Sequence, residues 1–251
     1  MSNTGEVQLK LYEPTRPQVE MAELIDVDRP FISLFAFGRQ VGKSHFGRFD
    51  AFTKGINGER PNGSYGKTEI YWISPTADQA VDNLKAIMEK FEGREELQNR
   101  LIKRVDRKYP EITFHYNSYI KFRSAEQGDS LRGGTKHWIY VDEAAFVDKN
   151  FIDEVLTPMT VRTEGRLVFL STFNGRNWYW DLYLEGQKEE RSHYVKSLLR
   201  TFIDLDDPKV TKTCLLAKEG MSLARYNQEY LCMPVSADSV FSNIPEAITK
   251  D

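Results

Sequence analysis

The chain has 251 residues, 40% of them hydrophobic, which suffices for one large buried core and fits a single α/β sheet domain. A formal net charge of -3 excludes a global basic field, so any contact with nucleic acid must come from local patches. No run of about 18 apolar residues suggests a membrane span, and the polar start MSNTGEVQ lacks the basic and apolar regions of a signal peptide, so a soluble protein that stays where it is made is expected.

In residues 12–18, Tyr12, Arg16 and Gln18 set an aromatic ring, a guanidinium and an amide ahead of the first apolar run. These groups are able to stack on and hydrogen-bond an adenine; a proline-punctuated turn into a surface helix explains the segment as well. Residues 31–37 (FISLFAF) are continuously apolar, as expected of a strand buried on both faces. Gly38, Arg39, Gln40, Val41, Gly42, Lys43 and Ser44 follow, then His45 and a helix-compatible stretch. A strand, a glycine turn and a helix start gather backbone N–H groups around a concavity where the helix dipole also favours phosphate. Gly42 lets the backbone approach, Lys43 reaches the β and γ phosphates of ATP, and Ser44 offers a hydroxyl to Mg2+. The usual pattern would place its first glycine at position 37, where this chain has Phe37 and the glycine comes one place later, so a chance Gly-Lys-Ser at a helix start is the plainer alternative.

Residues 69–73 (EIYWI), 138–141 (WIYV) and 166–170 (RLVFL) repeat the buried-strand character, each leading through a polar turn into a helix-like segment, which predicts parallel strands with right-handed crossovers. Helices are expected after Lys43, over residues 77–91 and 151–159, after Asn177 and near the C-terminus. Residues 112–116 and 119–122 alternate apolar and polar around Asn117-Ser118, which predicts a two-residue hairpin at an antiparallel edge of the sheet. Just upstream, Lys103, Arg104, Arg107 and Lys108 form a basic run, and Lys121 with Arg123 lie on the hairpin. Such cations could make sequence-independent phosphate contacts to DNA, or simply form a solvated face.

Asp142 and Glu143 follow the strand at 138–141, the arrangement in which one carboxylate at a strand end shares the metal with Ser44 and its neighbour polarises the attacking water. An acidic helix N-terminus is the plainer reading. Ser171 and Thr172 end the next strand, where small hydroxyls could sense the γ-phosphate or cap a helix. Hydrolysis of this kind often needs an arginine: Arg39 lies in the phosphate loop, and Arg132 in a glycine-flanked loop before the acidic strand, from which it could reach a neighbouring subunit or stay a solvated charge. Cys214 and Cys232 have neither CxxC spacing nor histidine neighbours, so reduced core thiols of a cytosolic protein are expected. Residues 233–251 carry turn residues and little periodicity, the look of a tail or linker.

Together these features predict an α/β P-loop NTPase of the RecA-like (ASCE) type, with a mainly parallel central sheet flanked by helices. The chain resembles the ATPase domain of the large terminase subunit of tailed bacteriophages, on residues 12–18, GRQVGKS at 38–44, VDEAAF at 141–146, STFNG at 171–175 and the closing segment 226–241. The resemblance implies Mg2+-dependent ATP hydrolysis that drives double-stranded viral DNA into a procapsid, in the host cytoplasm, with no membrane involved. It implies a ring of five subunits docked on the portal protein and served by a small terminase subunit, with Arg132 acting in trans and Arg39 sensing nucleotide in cis. It also implies an ATPase domain at 1–235 and a tail at 236–251 leading toward a nuclease domain absent from this chain, so no nuclease activity is expected here. A helicase-like nucleic-acid-dependent ATPase and an ATP-gated ring-assembly protein with little turnover are the competing expectations.

Overall fold

The computed structural model of the protein describes residues 13–234; Tyr12 and residues 235–251, with the whole of the tail expected at 236–251, lie outside them. Eight strands form one sheet: β1 (Ile32–Phe37), β2 (Glu69–Ser74), β3 (Ile102–Asp106), β4 (Glu111–Phe114), β5 (Tyr119–Ser124), β6 (Trp138–Asp142), β7 (Arg166–Ser171) and β8 (Val195–Arg200). They lie in the order β3-β4-β5-β2-β6-β7-β1-β8. From β5 to β8 every neighbouring pair is parallel, whereas β3, β4 and β5 are antiparallel. The helices are α1 (Arg16–Glu23), α2 (Lys43–Asn57), α3 (Ala77–Met88), α4 (Glu95–Leu101), α5 (Lys149–Phe151), α6 (Thr157–Val161), α7 (Trp178–Glu185), α8 (Pro208–Ala217) and α9 (Leu223–Leu231).

The continuous apolar runs become central strands because both faces of the sheet are covered. Phe35 and Phe37 of β1 join Trp72, Tyr140, Phe46 and Phe52 on the α2 side, while Leu34 and Ala36 join Ile73, Val141, Ile152 and Leu156 on the other. Burying each of the larger apolar side chains stabilises the fold by about 1.5–3 kcal/mol relative to exposure. Between α5 and α6 the chain makes a π-helical turn, Ile152–Leu156, just ahead of the Pro158 ring. No helix among the described residues is long and apolar enough to cross a membrane.

Three features differ from the sequence-based expectation. The Phe114 amide donates to the Ser118 carbonyl and the Asn117 amide to the Phe114 carbonyl, so the hairpin loop is the three residues 115–117 rather than Asn117-Ser118. Asn117 takes the left-handed backbone, φ 61°, that closes such a loop and that Asn tolerates. The antiparallel edge is also larger, since Lys103 and Arg104 of the basic run fold into β3, which pairs with β4, and Arg107 and Lys108 sit in the turn between them. Finally, β8 extends the parallel sheet beyond β1, although Lys196 and the half-buried end of the strand give it only weak alternation.

Lys136, two residues before β6, has a buried side chain, with Nζ 4.4 Å from the Tyr71 ring centroid and 3.9 Å from Glu69. Burial, together with Lys121 and Lys67, outweighs Glu69 and lowers its pKa to about 8. A lowered base binds fewer protons folded than unfolded, so it costs stability at neutral pH, and that cost fades as pH rises above about 8. Lys136→Met is expected to stabilise the protein at pH 7 by on the order of 2 kcal/mol, and by less at pH 9.5, in urea unfolding at the two pH values.

Candidate functional site

The carboxyl ends of β1, β6 and β7 meet the N-terminus of α2 in a cleft of about 560 Å³, within the usual range for small-molecule sites. Gly38, Arg39, Gln40, Gly42, Lys43, Ser44 and His45 line one wall, Pro75, Thr76 and Gln79 a second, and Glu143, Phe146, Thr172 and Glu229 complete it.

The displaced glycine has a structural reason. Phe37 is still a strand residue, with its side chain fully buried in the core. The loop starts at Gly38, where a Cβ would lie 2.5 Å from the Tyr230 carbonyl oxygen at the end of α9. The Arg39 amide donates to the Glu229 carbonyl, so α9 backs directly onto the loop. Gln40 and Gly42 are both left-handed, and α2 then begins at Lys43 with its free N–H groups facing the cleft. Val41 points the other way, into the core.

Lys43 is nearly buried, its Nζ 3.5 Å from a Glu143 carboxylate oxygen. Ser44 Oγ donates to Asp142 Oδ1 at 2.7 Å. Asp142 is 7% exposed; burial raises its pKa, the Ser44 hydrogen bond opposes this, and the Glu143 charge adds to the rise. Glu143 has a left-handed backbone, φ 50°, and its carboxylate accepts from Ser171 Oγ at 3.3 Å. A non-glycine residue held there stores about 1–3 kcal/mol of strain, a cost typical of sites where side-chain aim matters. Only a short turn, Ala144–Phe146, follows, so the acidic pair does not open an α-helix. The cap of α7 is Asn177, accepting from the Tyr179 amide, which leaves Ser171 free of a capping duty.

Ser44 and Asp142 thus present two hard oxygen donors in contact at the edge of the phosphate loop, a donor set that suits Mg2+. His45 lines the cleft, and burial followed by the nearby Lys90 and Arg48 charges lowers its pKa.

Of the adenine segment, the aromatic Tyr12 lies outside the described residues, and Arg16 and Gln18 are engaged with the protein's own groups. Gln18 is buried; its amide oxygen accepts from the Thr15 backbone and its amide nitrogen donates to the Gly42 carbonyl at 3.1 Å, so it braces the phosphate loop. Arg16 is exposed and pairs with Glu20. Arg39 lines the cleft and its guanidinium pairs with Glu229 of α9. Arg132 is outside the cleft lining and 3.2 Å from Glu154.

None of the six cations considered for DNA lines the cleft. Lys103 donates to Asn117, Arg104 lies 3.7 Å from Glu111, and Lys121 lies 3.6 Å from the same Glu111. Arg123 donates to the Pro110 and Phe122 carbonyls, Lys108 lies over the Tyr109 ring, and Arg107 lines a separate groove beside α3 and α4.

Sequence reasoning missed Thr76, Gln79, Phe146 and Glu229. The first two follow β2 at the same carboxyl edge as the loop and were reachable by that rule. Glu229 carried no local signal, because only the approach of α9 brings it to Arg39, 190 residues away.

Solved structures share this architecture. The large terminase ATPase domain of Thermus phage P74-26 superposes with a TM-score of 0.72 at 21% identity, covering 90% of this chain and 96% of that one. The large terminase of the thermophilic bacteriophage D6E in complex with ADP superposes with a TM-score of 0.70 at 15% identity, covering 89% of this chain and 54% of that one. Among curated relatives, the terminase large subunit of Thermus virus P23-45 is 30% identical over 163 residues, 59% of this chain and 32% of the relative. The terminase large subunit of Escherichia phage T5 is 25% identical over 224 residues, 86% of this chain and 47% of the relative. The chain therefore spans less than half the length of these relatives. Residues 34–244 match the family described as terminase large subunit, T4likevirus-type, N-terminal, and the chain belongs to that family.

Proposed function

We propose that the chain binds ATP and hydrolyses it in a Mg2+-dependent reaction, and that the whole protein uses the cycle to drive double-stranded DNA into a procapsid. The observation that carries the reading is the convergence of Lys43, Ser44, Asp142 and Glu143, from two separate chain segments, on one cleft at a helix N-terminus. The loop N–H groups and Lys43 hold the β and γ phosphates. Ser44 and Asp142 hold Mg2+, which supplies charge neutralisation on the phosphate oxygens. A γ-phosphate offers Lys43 a denser negative charge than Glu143 does, and drawing Lys43 to it leaves Glu143 to orient the attacking water. Ser171 keeps the Glu143 carboxylate aimed at the cleft. Family membership and the domain-length match to terminase ATPase domains support the packaging role.

On the procapsid the motor acts as a ring of five on the portal protein, with the small terminase subunit delivering DNA and Arg132 completing a neighbour's site. The position of Arg132 outside its own cleft supports only its role in a neighbour's site, and the ring, portal and small subunit rest on family membership. An Arg132→Ala protein mixed with a Lys43→Ala protein is expected to regain ATP turnover that neither has alone, because each supplies what the other lacks. Failure at every mixing ratio, measured with portal-bearing capsids, would remove the shared site. Stimulation of turnover by such capsids beyond that by DNA alone distinguishes a packaging motor from a helicase-like ATPase, and negligible phosphate release in a single turnover would indicate an ATP-gated assembly protein.

A further inference from the structure

The core-facing stripe of α3 reads Ala80, Asn83, Leu84, Ile87, and Asn83 is its polar exception. Only 6% of it is exposed, and an amide buried there destabilises the fold unless its hydrogen bonds are made. Its hydrogen bonds are specific. Arg48 Nη1 of α2 donates to Asn83 Oδ1 at 2.7 Å. The two hydrogens of Asn83 Nδ2 are divided among three acceptors, the Gln79 carbonyl at 2.9 Å, Ser74 Oγ at 3.2 Å and Asp142 Oδ2 at 3.4 Å, so that at least one is shared. The amide cannot be turned over. A guanidinium only donates and a carbonyl or carboxylate only accepts, so Oδ1 must face Arg48 and Nδ2 must face Gln79 and Asp142.

The two oxygens of Asp142 therefore have separate holders: Ser44 of the phosphate loop on Oδ1 and Asn83 on Oδ2. With Oδ2 engaged by Asn83, Oδ1 is the oxygen left to Ser44 of the phosphate loop. We propose that Asn83, locked in orientation by Arg48, is the positioning residue that aims Asp142 at the Mg2+ of the nucleotide complex; this rests on the ATPase reading above. Neighbours that orient a metal carboxylate without touching the metal are a recurrent feature of metal sites, and losing one weakens metal affinity about 10–100-fold. Asn83 also joins three elements, because Arg48 sits on α2, Ser74 ends β2 and Asp142 ends β6. A shift of α3 relative to the phosphate loop thereby reaches the metal carboxylate directly.

The test titrates Mg2+ against binding of a fluorescent ATP analogue to the full chain, alongside binding in EDTA and the melting temperature without ligand. For Asn83→Leu the half-saturating Mg2+ concentration is expected to rise about 10–100-fold, while binding in EDTA changes less than about twofold. Arg48→Met, which leaves the amide in place but unlocked, is expected to move in the same direction by a smaller factor and decides the matter should Asn83→Leu not fold. Unchanged Mg2+ dependence in the folded variants, or equal losses with and without Mg2+, would overturn the proposal and leave Asn83 a packing residue. If the wild-type chain bound no nucleotide, or bound it without any Mg2+ dependence, the ATPase reading itself would fail instead.

Discussion

Glu143→Ala is expected to bind an ATP analogue as tightly as the wild type and to release phosphate at least about a hundredfold more slowly in a single turnover, the loss typical of a positioned general base. The carboxylate reaches the cleft from a left-handed backbone at the strand end, with Lys43 on one oxygen and Ser171 on the other. Removing it takes away none of the loop amides, Lys43 or Ser44, so ground-state phosphate binding should persist. Loss of turnover with intact binding is the signature of an interaction made in the transition state. Equal rates would remove Glu143 from the chemistry, and equal losses in binding and rate would make it a structural partner of Lys43.

Lys54→Ala is expected to destabilise the fold by about 3–5 kcal/mol in urea unfolding, the usual cost of removing one member of a buried ion pair. Lys54 is 2% exposed, its Nζ lying between Asp50 and Asp26 and 4.8 Å from the Trp138 ring centroid. Asp50 in turn accepts from the Tyr140 hydroxyl at 2.6 Å, which ties α2 to β6. Without the ammonium two carboxylates face each other with Tyr140 as the remaining donor to Asp50. Asp50 must then take up a proton or water must enter. The double substitution Lys54→Met with Asp50→Asn should recover part of the loss, because the amide at position 50 is uncharged and still accepts from the Tyr140 hydroxyl, while the partly exposed Asp26 carboxylate is left to water. Full destabilisation in the double variant would show that the fold needs the Lys54 cation itself, over Trp138 and beside Asp26, and that an uncompensated Asp50 charge is not the cause of the loss. These residues underlie the helix that carries Lys43 and Ser44 and the strand that carries Asp142, so the variant should also weaken nucleotide binding.

Much of the fold is legible in the sequence because its causes are local. The strands at β1, β2, β6 and β7 announce themselves as unbroken apolar runs, which only a sheet covered on both faces can bury. The N-terminus of α3 is signalled by Thr76 and Gln79, which form a reciprocal capping box. The edges are harder. β3 is short, with Lys103 and Arg104 exposed, and β8 is half buried, so neither has the periodicity that marks a strand. An edge strand gains its hydrogen bonds from one neighbour, and nothing in its own letters names that neighbour. The hairpin loop is one residue longer than expected because Asn suits the left-handed position in two-residue and three-residue loops alike.

At the site, the residue types and spacing of Gly42, Lys43, Ser44, Asp142 and Glu143 are readable as chemistry from their order in the chain, since each role demands a particular side chain at a strand end or helix start. The sequence by itself thus determined a phosphate loop, an acidic pair and a covered parallel sheet. What only the tertiary structure decided is which distant groups hold these in aim: Gln18 on the Gly42 carbonyl, Glu229 on Arg39, and Asn83 on Asp142, 59 residues away. Those pairings depend on the order in which the strands assemble and on which helix each crossover lays beside the loop. A buried polar side chain shows its purpose only when the partners that satisfy it are in place.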